Sequence, residues 1–170
     1  MKKEFYITTP IYYVNDEPHI GTAYTTILAD VLARFKRDSS HNTFFLTGLD
    51  EHGQKVQEAA EQRNISPQKH CDEMAPRFTE LWKRLHISNN DFIRTTEERH
   101  KKIVQLILQR VMDNGDIYKA EYEGLYSVSE ERFITEKEAE SGAFRDIKKL
   151  KEENYFFKMS GYQQKLIDHI

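Results

Sequence analysis

Residues 5–22 read FYITTPIYYVNDEPHIGT, and this stretch decides the fold. Its first half, Phe5 to Tyr13, is rich in aromatic and β-branched side chains, which suit a pleated, half-buried strand. Pro10 has no N–H for a ladder, so regular pairing should end there. Asn15-Asp16-Glu17-Pro18 is turn chemistry. Beyond it, His19 to Arg37 turns helical: Ala23, Ile27, Val31 and Phe35 recur at i+4, flanked by Ile20, Leu28 and Leu32. Phe44-Phe45-Leu46 then forms a short apolar run, of the kind found in a parallel strand covered on both faces. Strand, helix and strand within about 45 residues make a βαβ unit.

Downstream, the pattern is mostly helical as far as residue 115. Glu51 to Arg63 is one candidate helix. Ser66-Pro67 is an N-cap with proline at the first helical position, opening a segment toward Leu85. Pro76 should kink or divide that segment. Thr95-Thr96-Glu97-Glu98 reads as a capping box ahead of a helix through Val111, and Asn114-Gly115 as its stop. Short β-like pieces follow at Ile117-Tyr118, Gly124 to Val128 and Phe133-Ile134, then a brief helix capped by Thr135 and Glu138. Asn154 to Met159 reads as another strand, with Ser160 capping a last helix that runs to Ile170 without a stop signal. The change of texture places a boundary near Gly115. The expected divisions are 1–115, 116–159 and 160–170.

Composition narrows the function. The chain has 170 residues, enough for one domain of ordinary size. A net charge of −3 advertises no nucleic-acid-binding surplus. One cysteine, Cys71, excludes an internal disulfide framework and a Cys-rich zinc site. No apolar run approaches a membrane span, and the opening residues lack a secretory pattern, so a soluble, cytoplasmic chain is expected. Nothing in the sequence fixes an oligomeric state.

Two spots carry chemistry. Pro18-His19-Ile20-Gly21-Thr22 lies between a strand and a helix. Free N–H groups and a partial positive charge there make a ready anion site. His19 can donate to a phosphate oxygen, Gly21 lets a flat group approach the backbone, and Thr22 adds a hydroxyl. Gly48-Leu49-Asp50-Glu51-His52-Gly53 follows the second strand and sets a carboxylate and an imidazole at the same sheet edge. Asp50 could hold an ammonium group with Tyr13 closing over it, or simply cap the following helix. In an open α/β sheet, ligands lie beyond the carboxyl ends of the strands, where both spots fall.

With these motifs in place, the chain resembles the N-terminal part of the methionyl-tRNA synthetases, a class I aminoacyl-tRNA synthetase family. Thr8 to Thr22 is similar to that family's opening strand and His-Ile-Gly-His signature. Thr47 to Val56 is similar to its Thr-Gly-Thr-Asp-Glu-His-Gly stretch. Likeness continues through Asn89 to Thr96, Asn114 to Tyr126 and Glu152 to Tyr162. The resemblance implies an α/β fold: an incomplete Rossmann-like nucleotide-binding parallel sheet with the start of a small inserted β-rich domain. It implies ATP with Mg2+, methionine and the acceptor end of tRNA as ligands. His19, Gly21 and Thr22 would bind ATP, with His19 and Thr22 catalytic. Ile11, Tyr13, Asp50 and His52 would hold methionine. The implied reaction is attack of the methionine carboxylate on the α-phosphate of ATP, then transfer to tRNA.

The sequence also departs from that family. Thr22 stands where the signature has its second histidine, and Leu49 replaces a threonine beside Asp50. Asp38-Ser39-Ser40 occupies a turn that normally carries leucine and glycine. The family's Lys-Met-Ser-Lys-Ser loop is not in these 170 residues; Lys158-Met159-Ser160 is only a partial likeness at a strand end. Ser127 and Glu130 hold the places of a Cys-x-x-Cys zinc knuckle, so no zinc is expected. These departures leave a second expectation beside the ligase: a catalytically incomplete fragment acting as a binding or interaction module.

Overall fold

The computed structural model describes residues 2–128, 130, 132–144 and 146–170. The chain forms two compact units, Met1–Val104 and Gln105–Ile170. Each has its own sheet.

The first sheet is parallel and centred on β3 (Asn42–Asp50). β1 (Glu4–Thr8) pairs with residues 42–46 and β2 (Tyr12–Tyr13) with 49–50. β4 (Asp91–Arg94) pairs with 46–49. Leu46 therefore has Thr8 on one edge and Asp91 on the other. Pro10 interrupts the expected strand but does not end it: pairing stops after Thr8 and resumes at Tyr12. The break at Thr9 is stitched by its hydroxyl, 2.7 Å from that of Thr47.

α1 (Ile20–Asp38) crosses from β2 to β3, as the periodicity anticipates. Its buried face, however, is Thr22, Thr26, Ala29, Asp30 and Ala33, not the apolar stripe. Ala29 and Ala33 are small enough to let the helix lie against Phe45. Ile27, Val31 and Phe35 stay exposed on the other side. Phe44 is likewise 44% exposed and stacked on Tyr6, so the apolar run in β3 is covered on one face only. Asp30 earns its burial by accepting from the Ser88 N–H (2.7 Å), the Ser88 hydroxyl (2.6 Å) and Arg34 Nε (2.6 Å). That clip ties α1 to the segment leading into β4.

α2 (Gln54–Gln62) and α3 (Pro67–Arg84) cover the carboxyl half of β3. Leu49, Val14, Val56, Cys71, Met74, Phe78 and Trp82 form this core, with Tyr12 packed against it. Ser66 caps α3 by accepting from Lys69 N–H at 3.2 Å. Pro76 does not divide α3, which is continuous through it. His70 is a satisfied core histidine, with Nε2 2.8 Å from Val14 O and Nδ1 3.0 Å from Arg63 Nη1.

The division between the two units falls within α4 (Glu98–Asp113). The helix ends at Gly115, whose φ of +77° only glycine adopts at little cost. Gly115 lies at that helix stop, eleven residues beyond Val104. The second sheet is antiparallel, ordered β6 (Arg132–Ile134), β5 (Ile117–Ser127), β7 (Ile147–Phe157). Ile117-Tyr118 and all but the last residue of Gly124 to Val128, expected as separate pieces, thus lie in one strand, β5, which pairs along its whole length with β7 in this sheet. One face of it carries Lys119–Glu153, Lys151–Glu121 and Lys149–Glu123 ion pairs at 2.7–2.9 Å. The other packs Tyr122, Phe133 and Phe156. These charges are the wet side of β5 and β7. α5 (Glu136–Glu140) has the expected Thr135/Glu138 capping box. Ser160 does not cap the last helix; a 3-10 turn, Met159–Tyr162, leads into α6 (Gln163–His169) instead.

Candidate functional site

The site grows from the turn between β2 and α1. His19 is the N-cap of α1, in extended backbone geometry. Its Nδ1 accepts from the Gly21 N–H at 3.1 Å, and its own N–H donates to Thr22 Oγ1 at 3.4 Å. Thr22 carries the chain inward: Thr26 Oγ1 donates to Thr22 O (3.0 Å) and lies 2.8 Å from the Tyr12 hydroxyl. The first turn of α1 holds no acidic side chain, while Asp16 and Glu17, just ahead of it, line the cleft.

A cleft of about 480 Å³ opens over this turn, a size suited to small-molecule ligands. Ile11, Tyr13, His19, Gly21 and Thr22 all line it. Asp50 and His52 do not. They stand at the end of the next strand, where Asp50 is the register partner of Tyr13. Asp50 is not a helix cap, because α2 begins at Gln54 with Gly53 as its N-cap. Its Oδ1 accepts from the His52 N–H at 3.3 Å.

Behind these two residues lies a buried polar lock. Glu51 has a fully buried side chain whose Oε1 accepts from Arg94 Nε at 2.6 Å and whose Oε2 accepts from the Thr96 hydroxyl. Arg94 also donates to Asp72 at 2.6 Å. The Thr95 hydroxyl accepts from Glu51 N–H and sits 2.9 Å from His52 Nδ1. Thr95 and Thr96 therefore hold the Asp50–His52 segment, and do not form the capping box that their sequence suggests. Cys71 lies 3.8 Å from Glu51 O, and burial, then the Glu51 charge, pushes its thiol up to about 11. It is a packing residue.

Residues 5–143 match the family model described as tRNA synthetases class I (M). The chain belongs to this family. It is 53% identical over 175 residues to a methionine–tRNA ligase of Fusobacterium nucleatum, covering 100% of this chain and 28% of that protein. It is 52% identical to the Thermotoga maritima enzyme, over 98% of this chain and 28% of the relative. Among solved structures, Mycobacterium tuberculosis methionyl-tRNA synthetase in complex with methionyl-adenylate superposes with a TM-score of 0.91. That pair is 37% identical over 99% of this chain and 35% of the other. The chain thus spans about a third of the length of these relatives. The parallel sheet is that of the class I synthetase catalytic fold.

For this synthetase chain, sequence reasoning found both site loops but missed what braces them. It gives Glu51 and Arg94 no role and reads Thr95 and Thr96 as a capping box. A signal was available in Gly48, where a Cβ would lie 2.1 Å from Ile93 O. A glycine inside a strand marks a close backbone approach, here that of β4, which delivers Arg94 and Thr95. In the second unit, Ser127 Oγ accepts from the Glu130 N–H at 3.3 Å where the resemblance puts a zinc knuckle.

Proposed function

We propose that the cleft over the start of α1 takes ATP and the Tyr13–Asp50 edge takes methionine, in the activation step of a methionine–tRNA ligase. One observation carries this reading. The parallel register of Asp50 with Tyr13, which lines the cleft over the start of α1, sets a carboxylate at the carboxyl end of the neighbouring strand. Asp50 receives the ammonium of methionine, while Ile11, Tyr13 and His52 bound its side. His19, Gly21 and Thr22 face the nucleotide. A methionine carboxylate oxygen attacks the α-phosphorus; the new P–O bond forms as the bond to the bridging oxygen breaks, and pyrophosphate leaves. His19 stabilises the charge that develops on the phosphate. Positioning and charge stabilisation suffice, since no side chain acts as nucleophile. The methionyl group then passes to the 3′ end of tRNA, releasing AMP.

No group of three His, Cys, Asp or Glu among the described residues could hold a metal. Mg2+ fits this chain only as a companion of the nucleotide phosphates, whose charge it offsets when bound. No helix among the described residues is long and apolar enough to cross a membrane, and we place the chain in the cytoplasm, with its tRNA.

The exposed apolar side of α1 supports a second reading, a binding module whose ligand site works only with a covering partner. Methionine-dependent ATP–pyrophosphate exchange, with His19→Ala as control, separates the two. Exchange lost on substitution is the expected result for the ligase. Methionine-induced NMR shifts at Asp50 without exchange favour the module. Neither signal, in a chain shown to be folded, overturns both.

A further inference from the structure

The geometry points to a second duty for Gly21 and Thr22: they are positioning residues that hold the His19 imidazole as the Nε2–H tautomer, aimed as a donor. The inference rests on the proposed function only for the phosphate that this donor meets. Nδ1 of His19 accepts from the Gly21 N–H at 3.1 Å. In the neutral ring an accepting Nδ1 is bare, and the proton sits on Nε2. The ring lies where a side chain of residue 21 would be: a Cβ on Gly21 would sit 3.0 Å from His19 Cε1 and 3.1 Å from Nδ1. A side chain at residue 21 would therefore make the imidazole shift by a few tenths of an ångström, before any ligand approaches.

Thr22 works on the backbone of the same residue. It is 5% exposed, and its Oγ1 accepts the His19 N–H at 3.4 Å, closing the turn from which the ring hangs. Two N–H groups of the helix start are thereby used inside the turn. The positive end of α1 reaches the cleft through the imidazole: the Gly21 N–H polarises the ring and strengthens Nε2–H as a donor. Besides facing the nucleotide, Thr22 thus braces the backbone of the residue that carries the donor.

The test is ¹⁵N NMR of the histidine rings of the whole 170-residue chain, without ligand, at a pH where the rings are neutral. His70 is the internal control, since it is buried and its two nitrogens have fixed partners. Wild-type His19 is expected to give a single Nε2–H pattern. Gly21→Ala should replace it with averaged tautomers while the His70 signals stay in place. Thr22→Ser should keep the wild-type pattern and Thr22→Val should move it toward the average. Averaged tautomers in the wild type, or a His19 pattern unmoved by Gly21→Ala with His70 intact, overturn the inference. If Gly21→Ala also disturbs His70, the Thr22 pair decides, and equal spectra for Val and Ser overturn it. Failed pyrophosphate exchange with the Nε2–H pattern present would count against the proposed function and leave this inference standing.

Discussion

Glu51→Gln tests the buried lock behind the proposed methionine edge. The substitution keeps the shape of the side chain and removes its charge. Glu51 is fully buried, with Arg94 Nε at 2.6 Å on one oxygen and the Thr96 hydroxyl on the other. An amide can accept at only one of its two ends, so either Arg94 or Thr96 loses its acceptor. Breaking a buried ion pair by deleting one partner costs about 3–5 kcal/mol, because it leaves a charge without compensation. Arg94 is not left bare: it keeps Asp72 at 2.6 Å, and its side chain is 23% exposed to water. The expected loss is therefore below that range, about 2–3 kcal/mol.

Trp82 makes this loss readable. It is the single tryptophan of the chain and sits in the core of the first unit, 3% exposed, so its fluorescence follows that unit alone. With a urea m-value of about 1–3 kcal/mol/M, the midpoint should fall by roughly 0.7–3 M. Asp72→Asn is the matched control. Asp72 touches the same guanidinium but is 52% exposed, and a pair of that kind contributes about 1 kcal/mol or less. Equal midpoint shifts for the two variants would refute the reasoning, since burial would then play no part. Glu51→Gln should also weaken methionine binding, because Glu51 lies between Asp50 and His52.

Three further outcomes follow from single sites. Gly48→Ala places a methyl 2.1 Å from Ile93 O, backbone against backbone, and should lower the Trp82-detected stability by about 1–3 kcal/mol through forced separation of β3 and β4; an unchanged midpoint would show that β4 does not lie so close. Burial works to raise the Asp30 pKa, but the bonds from Ser88 and Arg34 outweigh it and hold the carboxyl below its ordinary 3.8. Its contribution is complete above 3.8 and is lost as pH falls through the depressed folded value, so Asp30→Asn should be less stable than wild type at pH 7 and the gap should close in acid, below about pH 4, in urea titrations at each pH. The Cys71 thiol, pushed up to about 11, should resist alkylation in the native chain at neutral pH and react only with urea-induced unfolding, by mass spectrometry; native-state labelling at the rate of a free thiol would contradict its placement.

Much of the first unit was legible because its signals are local. The aromatic β-rich opening, the turn at Asn15–Pro18 and the helix from His19 each announce themselves within a few residues. β4 does not. Asp91-Phe92-Ile93-Arg94 is short, with a charge at each end, and reads as loop until its partners are known. The decisive partners are remote: the strand pairs with Leu46 to Leu49, and Arg94 is held by Glu51, 43 residues away. The face of α1 was hidden for a related reason. Periodicity marks the apolar stripe, but the side that meets the sheet is chosen by fit, and Ala29 and Ala33 fit Phe45 where larger residues would not. The site shows the same division. His19, Gly21 and Asp50 could be picked out by residue type and spacing, because ligand chemistry restricts both. Thr95, 43 residues from His52 in sequence, could not, because bracing a loop asks only for a hydroxyl in the right place. The same holds for Thr22: the family resemblance implied a role toward ATP, while its burial and its contact with the His19 N–H also suit the bracing of another residue. Residue type proposes a chemistry, and only the surrounding hydrogen bonds say whether the residue performs that chemistry or holds the one that does.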